Sequence, residues 1–327
     1  MCKKKIPFLT LLSLLIFLLF HSQKEEELVQ ISGVAMTMPY RVLIDEQIAM
    51  ERREEIEKAI EEVMQEVDER YNTWNLSSQL SFWNRSPKPK AEELGFLQLY
   101  PLFHKINQLF HLTKRRFDPT VAPLFSLWKE NLQQNRRPSG KEIDLLLSQV
   151  GWDKMRFHQR EWSKSVPTLQ IDSCGVAKGY AVDLLIEKLA TMNINSAYVE
   201  WGGDLRVLGR HPTGRKWKIY LPLDEKNPTL FSLSEGAVAG SGNYVHYWSL
   251  RESENEETSL YSHIVDPQKG ELIQLHGSTP SATYAYAPFC WLADGLATAA
   301  MTLPREEIDS WLLSIQEEYP SVRIWYV

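Results

Sequence analysis

Apolar residues recur at helical spacing through a long segment in the first quarter of the chain, and charged residues occupy the positions between them. This pattern predicts an amphipathic helix that packs on a core. Its apolar face consists of Ile48, Ile56, Ile60, Val63, Met64 and Val67. A second helix is predicted over 94–112. Ser139 and Glu142 have the spacing of a capping box and predict the start of a short third helix.

Irregular backbone is predicted around these helices. Residues 28–44 have the pattern of extended segments broken around Pro39, and residues 71–89 are rich in turn-forming residues. Two prolines within 117–123 fix the backbone and exclude a long helix through that link.

From Asp172 onward, short apolar runs are separated by glycine-rich turns. A loop and helix reaching Met192 are predicted first, and further helices begin near Leu292 and at Arg305. The predicted strands cover 196–200, 205–208, 217–221, 237–239, 261–265, 282–287 and 322–327. Because helices and strands are partly segregated along the chain, an α+β fold is favoured over a doubly wound parallel sheet.

The composition is that of a folded protein and argues against nucleic acid as a partner. The chain has 327 residues, of which 43% are hydrophobic, and a net charge of −6 at pH 7. That length allows one large domain or two smaller ones. An acidic balance provides no electrostatic footprint for nucleic acid. The sequence also lacks the glycine motifs of Rossmann and P-loop nucleotide sites.

The first 22 residues are predicted to be a signal peptide or an N-terminal membrane anchor. Three lysines at 3–5 precede an apolar run over 6–20, which has signal-peptide length and is marginal for a spanning helix. The lysines should stay cytoplasmic, so residues 23–327 are predicted to be exported. No clear cleavage site follows the run, and both cleavage and retention remain open. Cys2 lies before the apolar run, so lipidation at the usual place is not predicted.

Two cysteines, Cys174 and Cys290, lie in the part predicted to be exported. Two cysteines do not indicate a disulfide framework. Both are predicted to be buried free thiols, and a bridge between them would require their loops to converge on one site.

Residues 172–183 read Asp-Ser-Cys-Gly-Val-Ala-Lys-Gly-Tyr-Ala-Val-Asp and cross a predicted loop-to-helix junction. The free N–H groups and partial positive charge of a helix N-terminus suit an anion. Gly175 and Gly179 would let the backbone approach a ligand, and Lys178 would supply a cation. The segment is therefore a candidate phosphate site, and the alternative is an ordinary glycine-rich turn at a helix start.

Asp294 and Thr298 are four residues apart on a predicted helix and share one face. Their oxygens could ligate one hard cation such as Mg²⁺. Alternatively, Asp294 caps the helix and Thr298 bonds to the backbone of its own helix. His263 stands near the end of a predicted strand, where it is a candidate proton carrier or a structural histidine.

Five motifs, taken in order, resemble those of the ApbE family, the FAD:protein FMN transferases. They are the 172–183 segment, the Gly-Gly-Asp turn at 202–204, the turn at 240–244, the His-Ile-Val-Asp-Pro segment at 263–267 and the Ala-Asp-x-x-x-Thr segment at 293–298. The resemblance runs from about Gly33 to the C-terminal helices. It implies that residues 23–327 form a two-lobed, ApbE-like (T-fold-like) domain with mixed or antiparallel sheets and flanking helices.

The resemblance also implies a set of site residues by position. Met36 and Trp74 would flank the isoalloxazine ring. Further FAD contacts would be Arg116, Phe117, Asp118, Asp172, Lys178 and Val265. The implied Mg²⁺ ligands are Asp294, Thr298 and the backbone carbonyl of Gly175. The implied catalytic residues are His263 and Asp294, and the identity of the general base stays open.

The chain departs from the family pattern at several positions. Met-Thr-Met stands at 36–38 where Met-Gly-Thr is usual, and Glu-Trp at 200–201 precedes the glycine pair where smaller or amide residues are typical. Gly240 replaces a frequent threonine, and Cys174 lies within the phosphate loop. The first change removes a glycine that permits close backbone approach.

The activity implied by the resemblance is Mg²⁺-dependent transfer of FMN from FAD to a serine or threonine hydroxyl of a target protein, with release of AMP. Two alternatives are a Mg²⁺-dependent FAD pyrophosphatase and a non-catalytic FAD-binding protein. By family analogy the acceptors are flavoprotein subunits such as those of a sodium-translocating NADH:quinone reductase. The protein would then act at the periplasmic face of the bacterial inner membrane.

Overall fold

The computed structural model describes residues 28–89, 96–158, 161–223, 229–243, 247–251 and 257–327. The predicted signal or anchor segment, residues 1–22, and Tyr244 of the turn at 240–244 lie outside the described residues. Among the residues described, no helix combines the length and the apolar character needed to cross a membrane.

The described residues form an α+β fold, as predicted from the segregation of helices and strands. The helices are α1 (Glu46–Tyr71), α2 (Gln79–Arg85), α3 (Tyr100–Leu112), α4 (Ala122–Gln133), α5 (Gly140–Leu147), α6 (Ala177–Thr191), α7 (Cys290–Ala300) and α8 (Arg305–Gln316). The strands are β1 (Leu28–Ala35), β2 (Met38–Asp45), β3 (Met155–His158), β4 (Glu161–Lys164), β5 (Ala197–Trp201), β6 (Asp204–Leu208), β7 (Trp217–Leu221), β8 (Thr229–Leu233), β9 (Gly236–Gly242), β10 (Tyr247–Leu250), β11 (Ser259–Asp266), β12 (Glu271–Gln274), β13 (Ala282–Ala287) and β14 (Arg323–Tyr326).

The larger lobe is built on a seven-stranded antiparallel sheet with the strand order β1-β2-β5-β6-β9-β13-β14. Helices α1, α6 and α7 pack on one face. The β7–β8 hairpin covers the other face, where Trp217 and Ile219 join the core beside Tyr198. Because both faces of the sheet are covered, β5 is apolar and buried along most of its length instead of alternating.

A smaller lobe packs the three-stranded antiparallel sheet β10-β11-β12 against α4 and α5. Trp128 of α4 lies in this core beside Tyr261 of β11, and its indole N–H donates to the carbonyl oxygen of Gly270 at 2.9 Å. Gly270 has a φ of +70°, and a Cβ there would stand 2.9 Å from Ile143. Glycine is therefore required by both conformation and space. The predicted two-lobed arrangement is confirmed.

Helices α6 and α7 of the larger lobe cap each other. The residues that precede their first turns, Val176 and Phe289, have no polar side chain to accept the free backbone N–H groups. Asp183 of α6 supplies the acceptors for α7, because its two oxygens accept from the N–H groups of Cys290 and Trp291, each at 2.9 Å.

Asp294 of α7 caps α6 in return, since its Oδ2 accepts from the backbone N–H of Gly179 at 3.0 Å. Gly179 makes this approach possible. A Cβ at that position would stand 2.3 Å from the carbonyl oxygen of Cys290 and 2.9 Å from the Cβ of Asp294. Arg206 of β6 pairs with Asp183 at 2.6 Å and neutralises its buried charge. Both helix N-termini are therefore satisfied by carboxylates from the neighbouring helix.

The predicted break around Pro39 is present but lies at residues 36–37, before Pro39. Pro39 lies inside β2, where it is paired with Val34 of β1, and the turn of this hairpin is formed by Met36 and Thr37. These two residues have φ values of 49° and 66°. Left-handed backbone is unusual for residues other than glycine, and no glycine in the sequence indicates the turn.

Two helices were missed by the sequence patterns. Helix α2 lies within the segment predicted to be turns, and it begins where Ser78 Oγ accepts from the N–H of Ser81 at 3.1 Å. Helix α4 lies in the link that contains the two prolines. Pro123 occupies its first turn, where proline is tolerated because the N–H has no intrahelical partner. Short strands without clear alternation were also missed, namely β3, β4, β8, β10 and β12.

We expect Asp183→Ala to destabilise the protein by about 3–5 kcal/mol, because it leaves the buried charge of Arg206 without its carboxylate partner and removes the cap of α7. The free energy of unfolding, measured by urea denaturation, checks this. Asp144→Asn on the exposed face of α5 is the matched control and should change stability by less than about 0.5 kcal/mol. Equal urea midpoints for Asp183→Ala and the unaltered protein would contradict the capping role.

Candidate active site

A cleft of about 450 Å³ opens between the two lobes. Its size is that of a small-molecule site. The residues predicted for the site that line it are Trp74, Arg116, Phe117, Asp118, Asp172, Gly175, Lys178, His263, Val265, Asp294 and Thr298. Met36, which the resemblance placed at the flavin ring, is not among the lining residues. It lies in the β1–β2 turn and packs on the main core. The individual roles of these residues stay predictions.

Lys178 lies in the first turn of α6 between two carboxylates that are distant in sequence. Its Nζ is 2.5 Å from Asp204 Oδ2 and 3.5 Å from Asp294 Oδ1. Burial alone would lower the pKa of Lys178, but the two carboxylates outweigh that effect and raise it. The ammonium is therefore charged, as a phosphate-binding role requires.

Asp204 is fully buried at the start of β6. Burial and the nearby Asp294 carboxylate, opposed by Lys178, raise the pKa of Asp204 to about 7. One ammonium faces two carboxylates in this cluster, so the cluster retains a proton to much higher pH than an exposed aspartate would. The sequence analysis noted Asp204 only as part of a tight turn. Its position after two glycines indicated the turn, whereas its contact with Lys178 depends on the tertiary fold.

The predicted metal ligands lie together. A Cβ on Gly175 would stand 3.2 Å from Thr298 Oγ1, so the loop backbone and the hydroxyl are adjacent. Asp294 is one turn earlier on the same face of α7 and does not cap its own helix, which starts at Cys290. The alternative of a self-capping Asp294 is therefore wrong.

These donors fit Mg²⁺, which takes hard oxygen ligands and often only one or two carboxylates. A carboxylate, a hydroxyl and a backbone carbonyl supply such oxygens at Asp294, Thr298 and Gly175. No group of three or more His, Cys, Asp or Glu side chains suited to a metal is found in the described part of the chain. A Mg²⁺ ion here would therefore depend on oxygens of the substrate and of water.

Aromatic residues form another part of the cleft wall. Trp74 is 78% exposed in the turn before α2 and lines the cleft, so its ring face is accessible to a flat ligand. Phe117 is buried, with its ring edge 3.2 Å from the position of a Gly175 Cβ. Trp74 therefore suits the predicted stacking role, whereas Phe117 packs behind the loop.

Asp118 and Arg116, both predicted FAD contacts, are engaged with the protein. Asp118 accepts from the N–H of Thr120 at 2.9 Å and from the N–H of Trp152 at 3.0 Å. Burial raises the pKa of Asp118. The guanidinium of Arg116 donates to the carbonyl oxygen of Thr302 at 3.2 Å and lies 3.9 Å from Asp266 of the smaller lobe. Both side chains thus support the wall that they line.

His263 and Val265 reach the cleft from β11 of the smaller lobe. The phosphate loop and α7 belong to the larger lobe, so the two predicted catalytic residues, His263 and Asp294, face one cleft from opposite lobes.

A sequence model of the ApbE family matches residues 36–321. The chain belongs to the ApbE family. An FAD:protein FMN transferase of Chlamydia pneumoniae is 33% identical over 284 residues, covering 86% of this chain and 87% of that protein. Another, from Vibrio cholerae, is 28% identical over 299 residues, covering 89% and 86%. The solved structure of the Pseudomonas stutzeri flavinyl transferase ApbE in its apo form superposes with a TM-score of 0.76 at 25% identity, covering 92% of this chain and 91% of that one. These comparisons confirm the predicted family, fold class and transferase assignment.

Two further expectations about the loop of this ApbE-family chain are corrected. Gly179 does not line the cleft, because it is buried against α7 and serves the close contact between helices. Both cysteines are free, as predicted, but only Cys290 is buried. Cys174 is exposed, since the loop that carries it faces the cleft.

We expect the stability of the metal-free protein to fall as pH rises from about 5 toward 7, in part through Asp204. Its pKa is raised in the folded state to about 7, so between those limits the folded state holds a proton that the unfolded chain has released. The contribution is up to about 1.4 kcal/mol per pH unit. Urea unfolding of the unaltered protein and of Asp204→Asn at several pH values checks this. Identical pH dependence in the two proteins would contradict the raised pKa.

Proposed function

We propose that the protein transfers FMN from FAD to a serine or threonine hydroxyl of a target protein and releases AMP. The observation that carries the proposal is the convergence of Lys178, Asp294, Thr298 and the exposed Trp74 on one cleft. The ammonium suits a pyrophosphate, the hard oxygen donors suit a divalent cation that would bind it, and an accessible indole suits a flavin ring. The relatives named above, which are FAD:protein FMN transferases, support the same reaction.

In the proposed reaction the hydroxyl oxygen of the acceptor attacks the phosphorus on the FMN side of the pyrophosphate. A new P–O bond forms between the acceptor oxygen and this phosphorus. The bond between this phosphorus and the bridging oxygen of the pyrophosphate breaks, and AMP leaves with the bridging oxygen. Lys178 is placed to hold the negative charge of the phosphates at the N-terminus of α6. The hydroxyl proton must pass to a base, for which His263 and the carboxylates of the cleft are the candidates.

We propose Asp294, Thr298 and the carbonyl of Gly175 as the protein ligands of Mg²⁺. When bound, the ion would neutralise the charge that builds on the bridging phosphate oxygens. Asp294 then has two tasks, because its Oδ2 also accepts from Gly179 and holds the first turn of α6.

Export and the acceptor are proposed on other grounds. The lysines and apolar run of residues 1–20 support export to the periplasmic face of the membrane, with or without an anchor. Exported flavoprotein subunits, such as those of a sodium-translocating NADH:quinone reductase, are proposed as acceptors by family analogy.

The test is to incubate the protein with FAD, Mg²⁺ and a candidate acceptor, and to measure AMP release and flavin fluorescence on the acceptor in a denaturing gel. Both should depend on Mg²⁺. We expect Asp294→Ala to lower the rate at least about 100-fold, because Lewis-acid stabilisation is worth several kcal/mol of barrier. Thr298→Val, which removes only the hydroxyl, should lower it less. Asp144→Asn is the matched control.

The cap that Asp294 provides makes a stability measurement necessary. Thermal unfolding without Mg²⁺ separates a folding defect from a metal defect, and Thr298→Val leaves the cap of α6 in place. Undiminished transfer by folded Asp294→Ala would refute its role as a metal ligand. Release of free FMN and AMP at the same rate without an acceptor would identify a pyrophosphatase, and tight FAD binding without turnover would identify a binding protein.

We expect Trp74→Ala to weaken FAD binding about tenfold with little effect on stability, because ring stacking is worth about 1–3 kcal/mol and the side chain is exposed. Trp74→Tyr should retain most of the affinity. Leu76→Ala is the matched control, since Leu76 is equally exposed two residues away. FAD titration followed by flavin fluorescence checks this. Equal affinities for Trp74→Ala and Leu76→Ala would exclude stacking on Trp74.

A further inference from the structure

Helix α2 lies beside the cleft wall and holds the turn that carries Trp74. Ser81 Oγ donates to the carbonyl oxygen of Thr73 at 3.3 Å, and Arg85 donates to the carbonyl oxygen of Leu76 at 2.8 Å. These two bonds flank Trp74 on either side. The position of its indole is therefore tied to the position of α2.

Asn84, next to Arg85 in the last turn of α2, holds a different part of the wall. Its Nδ2 donates to the carbonyl oxygen of Ile171 and its Oδ1 accepts from the N–H of the same residue, both at 2.8 Å. An amide paired in this way with one residue's backbone fixes orientation as well as distance. Asp172 follows directly, and the loop then continues to Gly175 in the cleft.

Lys164, the last residue of β4, strengthens the same junction. Its buried Nζ donates to the carbonyl oxygens of Trp83 at 3.3 Å, Asn84 at 3.0 Å and Leu169 at 3.0 Å. All three donors of the ammonium are thus used on backbone carbonyls. Two of these carbonyls belong to the last turn of α2, where the helix dipole favours a cation. Burial lowers the pKa of Lys164 to about 8.

The Lys164 ammonium also lies 4.7 Å from the centre of the Trp83 ring. Burying an ammonium is costly, so the many contacts around this one indicate that it has a specific structural role. The three carbonyls belong to α2 and to the segment that leads into the phosphate loop. Lys164 and Asn84 therefore join the support of Trp74 to the backbone that precedes Asp172. In the part of the chain that the structure describes, neither Asn84 nor Lys164 is among the residues that line the cleft.

We propose that Asn84 and Lys164 are positioning residues that set the spacing between the Trp74 turn and the phosphate loop, so that one FAD molecule reaches both. The inference rests on the proposed function. FAD binding requires the ring and the pyrophosphate to be held at a fixed separation, whereas riboflavin carries the ring without a phosphate and AMP carries a phosphate without the ring. Misplacing one wall should therefore weaken the joined ligand more than either fragment.

The loop has further anchors, which should keep it folded when one clamp is removed. Ser173 Oγ donates to the carbonyl oxygen of Tyr71 at 2.8 Å, and the N–H of Asp172 donates to the carbonyl oxygen of Pro119 at 2.6 Å. Both contacts are independent of Asn84 and Lys164.

The test measures binding of FAD, riboflavin and AMP to the full-length protein by calorimetry in the presence of Mg²⁺. We expect Asn84→Ala and Lys164→Met to bind FAD about tenfold more weakly, because the ring and the pyrophosphate can no longer both be held at their best positions, while riboflavin and AMP affinities change less than about twofold. Lys164→Arg should restore FAD binding, since a guanidinium also supplies several donors. Lys105→Met, which removes a half-buried lysine lying over Tyr180 and Trp291, is the control.

Two results would overturn the inference: unchanged FAD affinity in the folded variants, or equal losses for FAD, riboflavin and AMP. Thermal unfolding establishes that each variant is folded, and Asn84→Ala decides the matter if Lys164→Met does not fold. An unaltered protein that binds no FAD would instead refute the proposed function, and the inference with it.

Discussion

Asp183 and Asp294 each reach from one helix to the first turn of the other, and this exchange fixes how α6 and α7 meet. The contact needs Gly179, because any Cβ there would collide with the backbone of α7. Lys178, on the same turn, is thereby brought to Asp294 and Asp204. The chemistry of the cleft thus depends on a helix–helix contact whose polar groups lie in the core.

Charge balance explains why this cluster suits a phosphate and a divalent cation. Two buried carboxylates share one ammonium, so the cluster carries excess negative charge or retains a proton. A divalent ion beside Asp294 would offset the excess, and a pyrophosphate would in turn balance the ion and Lys178. Under the proposed function, substrate and metal would then each strengthen the binding of the other.

The sequence predicted the family and the α+β class, and most of the predicted site residues line the cleft, because each motif is a continuous segment whose spacing survives folding. It did not predict what depends on distant contacts. Gly179 has the same sequence signature whether it faces a phosphate or a helix, and only the position of Cys290 decides between them. Asp118 was predicted as a ligand contact, yet its oxygens accept from Thr120 and Trp152, the latter 34 residues away. The sequence analysis missed helix α4 because a proline occurs both in loops and in the first turn of a helix, and the sequence alone does not distinguish the two.

The departures from the family pattern at 36–38 and 200–201 are separate in sequence but adjacent in the fold. Strands β2 and β5 are neighbours, with Arg41 opposite Glu200, and the Trp201 indole N–H donates to the carbonyl oxygen of Ala35 at 3.3 Å, next to the turn. Glu200 also pairs with Arg41. A turn without glycine is strained, and a buried tryptophan bonded beside it is a local compensation. The two changes therefore form one altered region at the end of the sheet, while the charged cluster around Lys178 is retained.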